Sequence, residues 1–257
     1  MISPQRWTIP LILVAAGQGC QVQNLPDPPS PEIRAQLGRI RIERVVQEAD
    51  VSLDHPAGCC SGFCKGMVYG WELLLPSGDS TGSMVEALLV IPAIVLAFVY
   101  GPVGMVRGMP GEQVRDLEPS IRAAFDDSPL GPGLARAVLA EARRQDHYRV
   151  LGPEEEGPAD TLLQLEIDRR ELLGLSVKSE QLILDPPYQV VVRARVTLVR
   201  ISEGREVYRG YFRFCSDAKA FGQWSENGGA AVRSSLAAGT DWLAERIVSI
   251  ALEPPPK

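Results

Sequence analysis

The stretch YQVVVRARVTLVRISEGREVYRGYFRF, residues 188–214, decides the fold. Val190, Val192, Ala194, Val196 and Leu198 fall on one side of an extended chain, with Arg193, Arg195 and Thr197 on the other. After Ser202-Glu203-Gly204 the alternation resumes, Tyr208, Phe212 and Phe214 against Arg209, Tyr211 and Arg213. A period of two marks a half-buried strand. Two such strands around a short loop ending in Gly predict a hairpin with a left-handed Gly204. Parity sets the register. A three-residue loop places apolar even residues opposite one another, whereas a two-residue loop would turn Arg209 and Arg213 into the core. The pairing gathers Arg193, Arg195, Arg209 and Arg213 on one sheet face. That face is either a surface for an anion or acidic partner, or a solvated face balanced by acidic neighbours.

Upstream, Leu163, Leu165 and Ile167 alternate with Gln164, Glu166 and Asp168, predicting a third strand of the same kind. Gly38 to Glu48, with Ile40, Ile42 and Val45, predicts another, and His147 to Leu151 a short one. Val114, Leu117, Ile121 and Phe125 give Gln113–Phe125 a helical stripe. Gly131-Pro132-Gly133 is expected to break it. Leu134, Val138 and Ala142 then mark a second helix, with Arg143 and Arg144 suited to its C-terminal dipole. The last element, Gly229 to Ala251, carries Val232, Leu236, Leu243, Ile247 and Ile250 near one stripe, with Phe221 and Trp224 expected to bury ahead of it. The fold class expected is α+β: a small, mostly antiparallel sheet with helices packed on one face, plus a hydrophobic membrane-associated insertion.

That insertion is Ala87 to Val106, twenty residues without a formal charge between Glu86 and Arg107. The length suits a bilayer-crossing helix, but Pro92 and Pro102 interrupt it. Three readings stand: a transmembrane helix kinked at Pro92, a shallow re-entrant hairpin, or a hydrophobic helix buried in protein or an oligomer interface. Near the N-terminus, one positive charge at Arg6 is followed by the apolar run Trp7–Ala16 and then Gly17-Gln18-Gly19-Cys20, a secretory pattern. The proline-rich run after it, Leu25 to Glu32, is expected to be a semi-rigid tether. The expected organisation is a signal peptide over 1–19, a tether over 20–37, and a strand with a Cys-rich loop over 38–83. The apolar segment follows over 84–108, then an α/β domain over 109–252 and a fraying tail over 253–257.

The chain has 257 residues and a formal net charge of −6, with no basic cluster of the nucleic-acid type. Its two histidines, His55 and His147, leave little material for acid-base or metal chemistry. His55, Cys59, Cys60 and Cys64 match no standard zinc spacing, so no metal site and no cofactor are expected. A disulfide-stapled loop is the simpler expectation for Cys59, Cys60, Cys64 and Cys215 in an oxidising compartment. Asp146-His147 has no evident nucleophile, and no catalytic motif occurs. An enzyme is not expected.

The leader resembles that of bacterial lipoproteins, whose lipobox ends in a small residue and the cysteine that receives diacylglycerol. Gly19 and Cys20 fit that ending, while Gly17 stands where leucine is usual, leaving a cleaved secretory signal as the alternative. The resemblance implies lipidation at Cys20, and Gln21 in place of aspartate implies the outer membrane, facing the periplasm. The element order, and above all Tyr188–Val192 through Gly204 to Val207-Tyr208, resembles the α/β domain of several envelope lipoproteins. These are the amino-terminal domain of the Tol-system propeller protein, the curli secretion lipoprotein and the lipoprotein activators of cell-wall synthases. The resemblance implies a membrane-anchored interaction or assembly module, or alternatively an accessory of an envelope transport system. Its expected partners are membrane lipid, through Cys20 and Ala87–Val106, and an envelope protein; a homo-oligomer is also allowed.

Overall fold

The computed structural model describes residues 25–43, 48–55, 111–175 and 187–254. The apolar segment 87–106, the leader with Cys20, and Cys59, Cys60 and Cys64 lie outside the described residues. Among the described residues no helix is long and apolar enough to cross a membrane.

The elements are α1 (Pro31–Ala35), β1 (Ile40–Ile42), β2 (Val51–Leu53), α2 (Gly111–Asp126), α3 (Leu130–Gln145), β3 (Val150–Leu151), β4 (Thr161–Gly174), β5 (Tyr188–Arg200), β6 (Arg205–Cys215) and α4 (Phe221–Ala251). One sheet runs β3-β1-β4-β5-β6, and β2 also pairs with β4. β4, β5 and β6 form an antiparallel meander. β1, β2 and β3 pair in parallel, so the expected mostly antiparallel sheet is a mixed one. The reason is connectivity. The chain leaves β1 and β2, crosses through α2 and α3, and returns to the sheet running in the original direction, as a crossover requires. Of the strand expected over 38–48, Ile40–Ile42 pairs with the start of β4 and Glu48 bridges to Ile167, residues 44–47 lying outside the described ones; Val51–Leu53 pairs farther along.

The hairpin keeps the expected parity by a different route. Ala194 faces Phe212 and Leu198 faces Tyr208, but the turn spans four residues, 201–204, and a bulge between Leu198 and Val199 restores the register. Gly204 is left-handed, at φ 59°.

The core lies between one sheet face and the helices. Leu163, Leu165, Ile167, Val192, Val196 and Phe212 meet Ile121, Phe125, Leu134, Val138, Leu236 and Ile247, all buried. Gly131-Pro132-Gly133 does not break a helix. The break falls at residues 127–129, and Pro132 sits in the first turn of α3, where its missing N–H has no helical partner to lose. α4 is bent: Glu226 leaves helical geometry, and Asn227, Gly228 and Gly229 are all left-handed before the long helix begins. Phe221 and Trp224, ahead of this kink, are fully buried. The Trp224 indole N–H donates to the Tyr188 carbonyl at 3.1 Å, and the Phe221 and Tyr188 rings meet edge to face at 5.3 Å.

The run expected to be a tether is part of the folded body from Pro26 onward. Pro26 lies over Gly210 of β6, Pro29 is buried, α1 follows, and Leu37 is buried. Ser30 caps α1 by accepting the Ile33 N–H. The tail is also held at its start, since Arg34 donates to Glu253 at 2.6 Å and to the Pro254 carbonyl at 3.2 Å.

Candidate partner-binding face

The side of β4–β5–β6 opposite the core carries the arginines. At its Tyr188 end, Gln189 and Val191 are buried. From Arg193 onward the face opens. Arg209, Tyr211 and Arg213 are exposed, Tyr211 at 44%. The register gathers the four arginines on this face, two of them directly opposite each other. Arg193 stands directly opposite Arg213, Arg195 opposite Tyr211, and Thr197 opposite Arg209.

β4 supplies the counter-charge for β5. Glu166 is opposite Arg195, and its carboxylate accepts a short hydrogen bond from the guanidinium. Asp168 sits at a bulge, because the register shifts between Ile167 and Arg169. The bulge aims its carboxylate at Arg193, which donates from Nε at 2.8 Å. The Asp168 hydrogen bond raises the pKa of Arg193. Glu166, then Tyr211, does the same for Arg195. The Arg193 guanidinium also lies 5.5 Å from the Tyr211 ring centre, a cation–π arrangement. On β6, Arg209 pairs with Glu206. Arg205 and Arg213 have no ion-pair partner among the described residues.

A groove of about 280 Å³ runs across this face, lined by Gln164, Glu166, Arg195, Thr197, Glu206 and Arg209. It offers charge and hydrogen bonds, and it suits recognition of carboxylates and amides. A second groove, about 590 Å³, lies at the hairpin end between Gln36, Asp160, Arg200, Ser202 and Glu203.

Other residues singled out in the sequence lie elsewhere. His55 follows β2, and its ring nitrogen is 3.1 Å from Glu118 on α2. The Arg122 hydrogen bond, and after it that of His55, lowers the Glu118 pKa. His147 is exposed just beyond α3, whose left-handed C-cap is Asp146. Cys215, at the end of β6, is disulfide-bonded; its expected partners Cys59, Cys60 and Cys64 are not among the described residues. No three His, Cys, Asp or Glu side chains gather to hold a metal among the described residues. Sequence reading missed the roles of Glu166, Asp168 and Tyr211. Its available signal was the alternation of Gln164, Glu166 and Asp168, which required the β4–β5 register to become ion pairs.

No family model matches the sequence, and neither does any curated protein. Among solved structures, the chain is similar to a candidate lipoprotein from Caulobacter crescentus CB15, at TM-score 0.30 and 12% identity, covering 47% of this chain and 78% of that one. It is similar to PelC from Paraburkholderia phytofirmans, a dodecamer, at TM-score 0.27 and 16% identity, over 47% and 76%. It is also similar to lipoprotein GNA1162 from Neisseria meningitidis, at TM-score 0.22 and 13% identity, over 78% and 93%. At these scores and identities the likeness carries no conclusion about activity or assembly in this chain.

Proposed function

We propose that this chain is a non-enzymatic bacterial envelope lipoprotein, anchored by lipid on Cys20 at the outer membrane and facing the periplasm. In this reading its α+β domain is a docking module for an envelope protein. The observation that carries the reading is the open sheet face: Arg193, Arg195, Arg209, Arg213 and the exposed Tyr211, with no described helix laid over them. Exposed aromatic and arginine side chains on one face are the residue types that dominate protein interfaces. The Tol-system and curli likeness rests on element order and the Tyr188–Tyr208 hairpin and names no partner; the compartment in this reading comes from the leader ending in Gly19-Cys20.

The docked N-terminal segment gives the anchor a length. Pro26 rests on Gly210, so only residues 21–25 separate Cys20 from the folded body. Six Cα steps reach at most about 20 Å. A lipid on Cys20 would hold the β6 edge within that distance of the bilayer, with no long linker to let the domain roam. A second reading, an accessory of an envelope transport system, is favoured by the uncharged run Ala87–Val106, which would then enter a membrane complex.

The test is a photo-crosslinking amino acid placed at Tyr211 in cells, alongside the mass of the mature N-terminal peptide. The expected result is a diacylglycerol-bearing Cys20 and one discrete envelope-protein adduct, lost with Arg209→Glu and Arg213→Glu together. An unmodified N-terminus would remove the anchor. A bare Tyr211 in cells would remove the docking face.

A further inference from the structure

The charges on the sheet run in stripes. β4 presents Glu166 and Asp168, and β5 answers with Arg195 and Arg193, each paired. β6 then breaks the alternation. Arg213 stands directly opposite Arg193. Like charges facing each other across strands are destabilising, and Arg213 has no carboxylate among the described residues. The next stripe, beyond β6, is where acidic groups would relieve it.

Among the described residues β6 is also the edge of the sheet. The Ser216 N–H donates to the Val190 carbonyl at 2.9 Å, which makes Val190–Ser216 a hydrogen-bonded pair. In an antiparallel ladder such pairs recur at every second residue. Val192–Phe214, Ala194–Phe212 and Val196–Gly210 are therefore bonded pairs. The backbone N–H and C=O groups of Arg209, Tyr211 and Arg213 consequently point away from β5, toward the open edge. The residues whose backbone groups have no partner among the described residues are the same ones that carry the exposed cations and the exposed aromatic ring.

We infer that the β6 edge accepts an extended acidic segment of a partner protein as an additional strand, its backbone pairing with Arg209, Tyr211 and Arg213 and its alternate carboxylates answering Arg209 and Arg213. This names the partner chemistry of the proposed docking module and rests on that reading. A second copy of β6 is the poorer occupant, because it brings the same arginines to the seam and, as its own carboxylate, only Glu206, which Arg209 already holds. An acidic strand supplies main-chain affinity and charge specificity at once.

The experiment uses the mature full chain in detergent micelles and a blocked peptide as long as β6, 11 residues, alternating Glu with Thr or Val. Amide hydrogen exchange and fluorescence anisotropy are read together. The expected result is saturable binding with slowed exchange at Arg209, Tyr211 and Arg213, weakened about tenfold or more by Arg209→Glu with Arg213→Glu. A peptide with Lys in place of Glu, and the Glu peptide methylated on its backbone nitrogens, should both fail to bind. Equal binding of the methylated peptide would overturn strand addition, since charge alone would then suffice. Unchanged exchange at β6 with saturating peptide would overturn it too. Protection of the same amides by phosphatidylglycerol vesicles, and not by the peptide, would replace the partner strand with a lipid surface. If the peptide fails while the Tyr211 crosslink still captures an envelope protein, the added strand falls and the docking face stands.

Discussion

Gly229 is held at φ +80°, where a Cβ would sit 2.7 Å from the Ser120 carbonyl oxygen and 2.5 Å from the Ala124 Cβ. Both the backbone conformation and the helix contact therefore require glycine. Gly229→Ala is expected to cost about 2 kcal/mol or more, seen as a lowered urea midpoint with an unchanged slope. Tyr208 carries a pH dependence. Burial, and then the charge of Asp27, pushes its phenol up to about 12 from 10.0. Its hydroxyl is buried with no hydrogen-bond partner. The unfolded chain loses this proton first, so the stabilisation is complete below the unfolded pKa and fades as pH rises from there toward 12. Tyr208→Phe should flatten the fall in thermal midpoint between about pH 9.5 and 11.5; an unchanged slope would place the alkaline loss elsewhere.

Among the elements, α3 depends on a residue far from it in sequence. Its N-cap, Pro129, has no capping side chain, and Glu48 fills that role by accepting the Leu130 N–H at 3.1 Å. The same carboxylate oxygen accepts from Arg170 on β4 at 2.7 Å, and the Arg170 side chain is only 12% exposed. Glu48 thus ties the start of a helix to the sheet. Glu48→Ala leaves an uncapped helix and a nearly buried guanidinium without its counter-charge, held only by the Ala49 carbonyl at 2.8 Å, for an expected loss of about 2 kcal/mol. Arg170→Met in the Glu48→Ala background should recover part of it, measured as a double-mutant cycle. β6 makes the opposite prediction. Arg209→Glu with Arg213→Glu changes exposed groups only, and its stability should stay within about 0.5 kcal/mol of the native chain. A larger loss would mean that these side chains hold the sheet rather than meet a partner.

At the scale of the molecule, the two ends of the folded body are clasped. The Tyr148 hydroxyl lies 3.2 Å from the carbonyl oxygens of both Arg34 and Glu253, to which it can donate, and Arg34 reaches Glu253 and Pro254. Ending the chain at Leu252 removes the bonds to Glu253 and Pro254 and leaves the one between Tyr148 and the Arg34 carbonyl. It should speed amide exchange across 31–37 and cost about 1 kcal/mol, with the core strands unaffected. Much of this architecture was legible in the residues themselves. Alternation over 163–168 and 188–214 and the helical stripes over 113–125, 134–142 and 229–251 placed the main strands and helices, because each element buries one face and its own period records which. The four arginines followed from parity alone. What the chain could not disclose was anything set by contact between distant segments. The parallel placement of β1, β2 and β3, the docking of Pro26 to Leu37, the bulge that aims Asp168 at Arg193, and the edge position of β6 all depend on which strand lies beside which. Periodicity reports how one element faces a core; its neighbours are chosen by tertiary packing, and with them the counter-charges and the open edge on which the proposed binding rests.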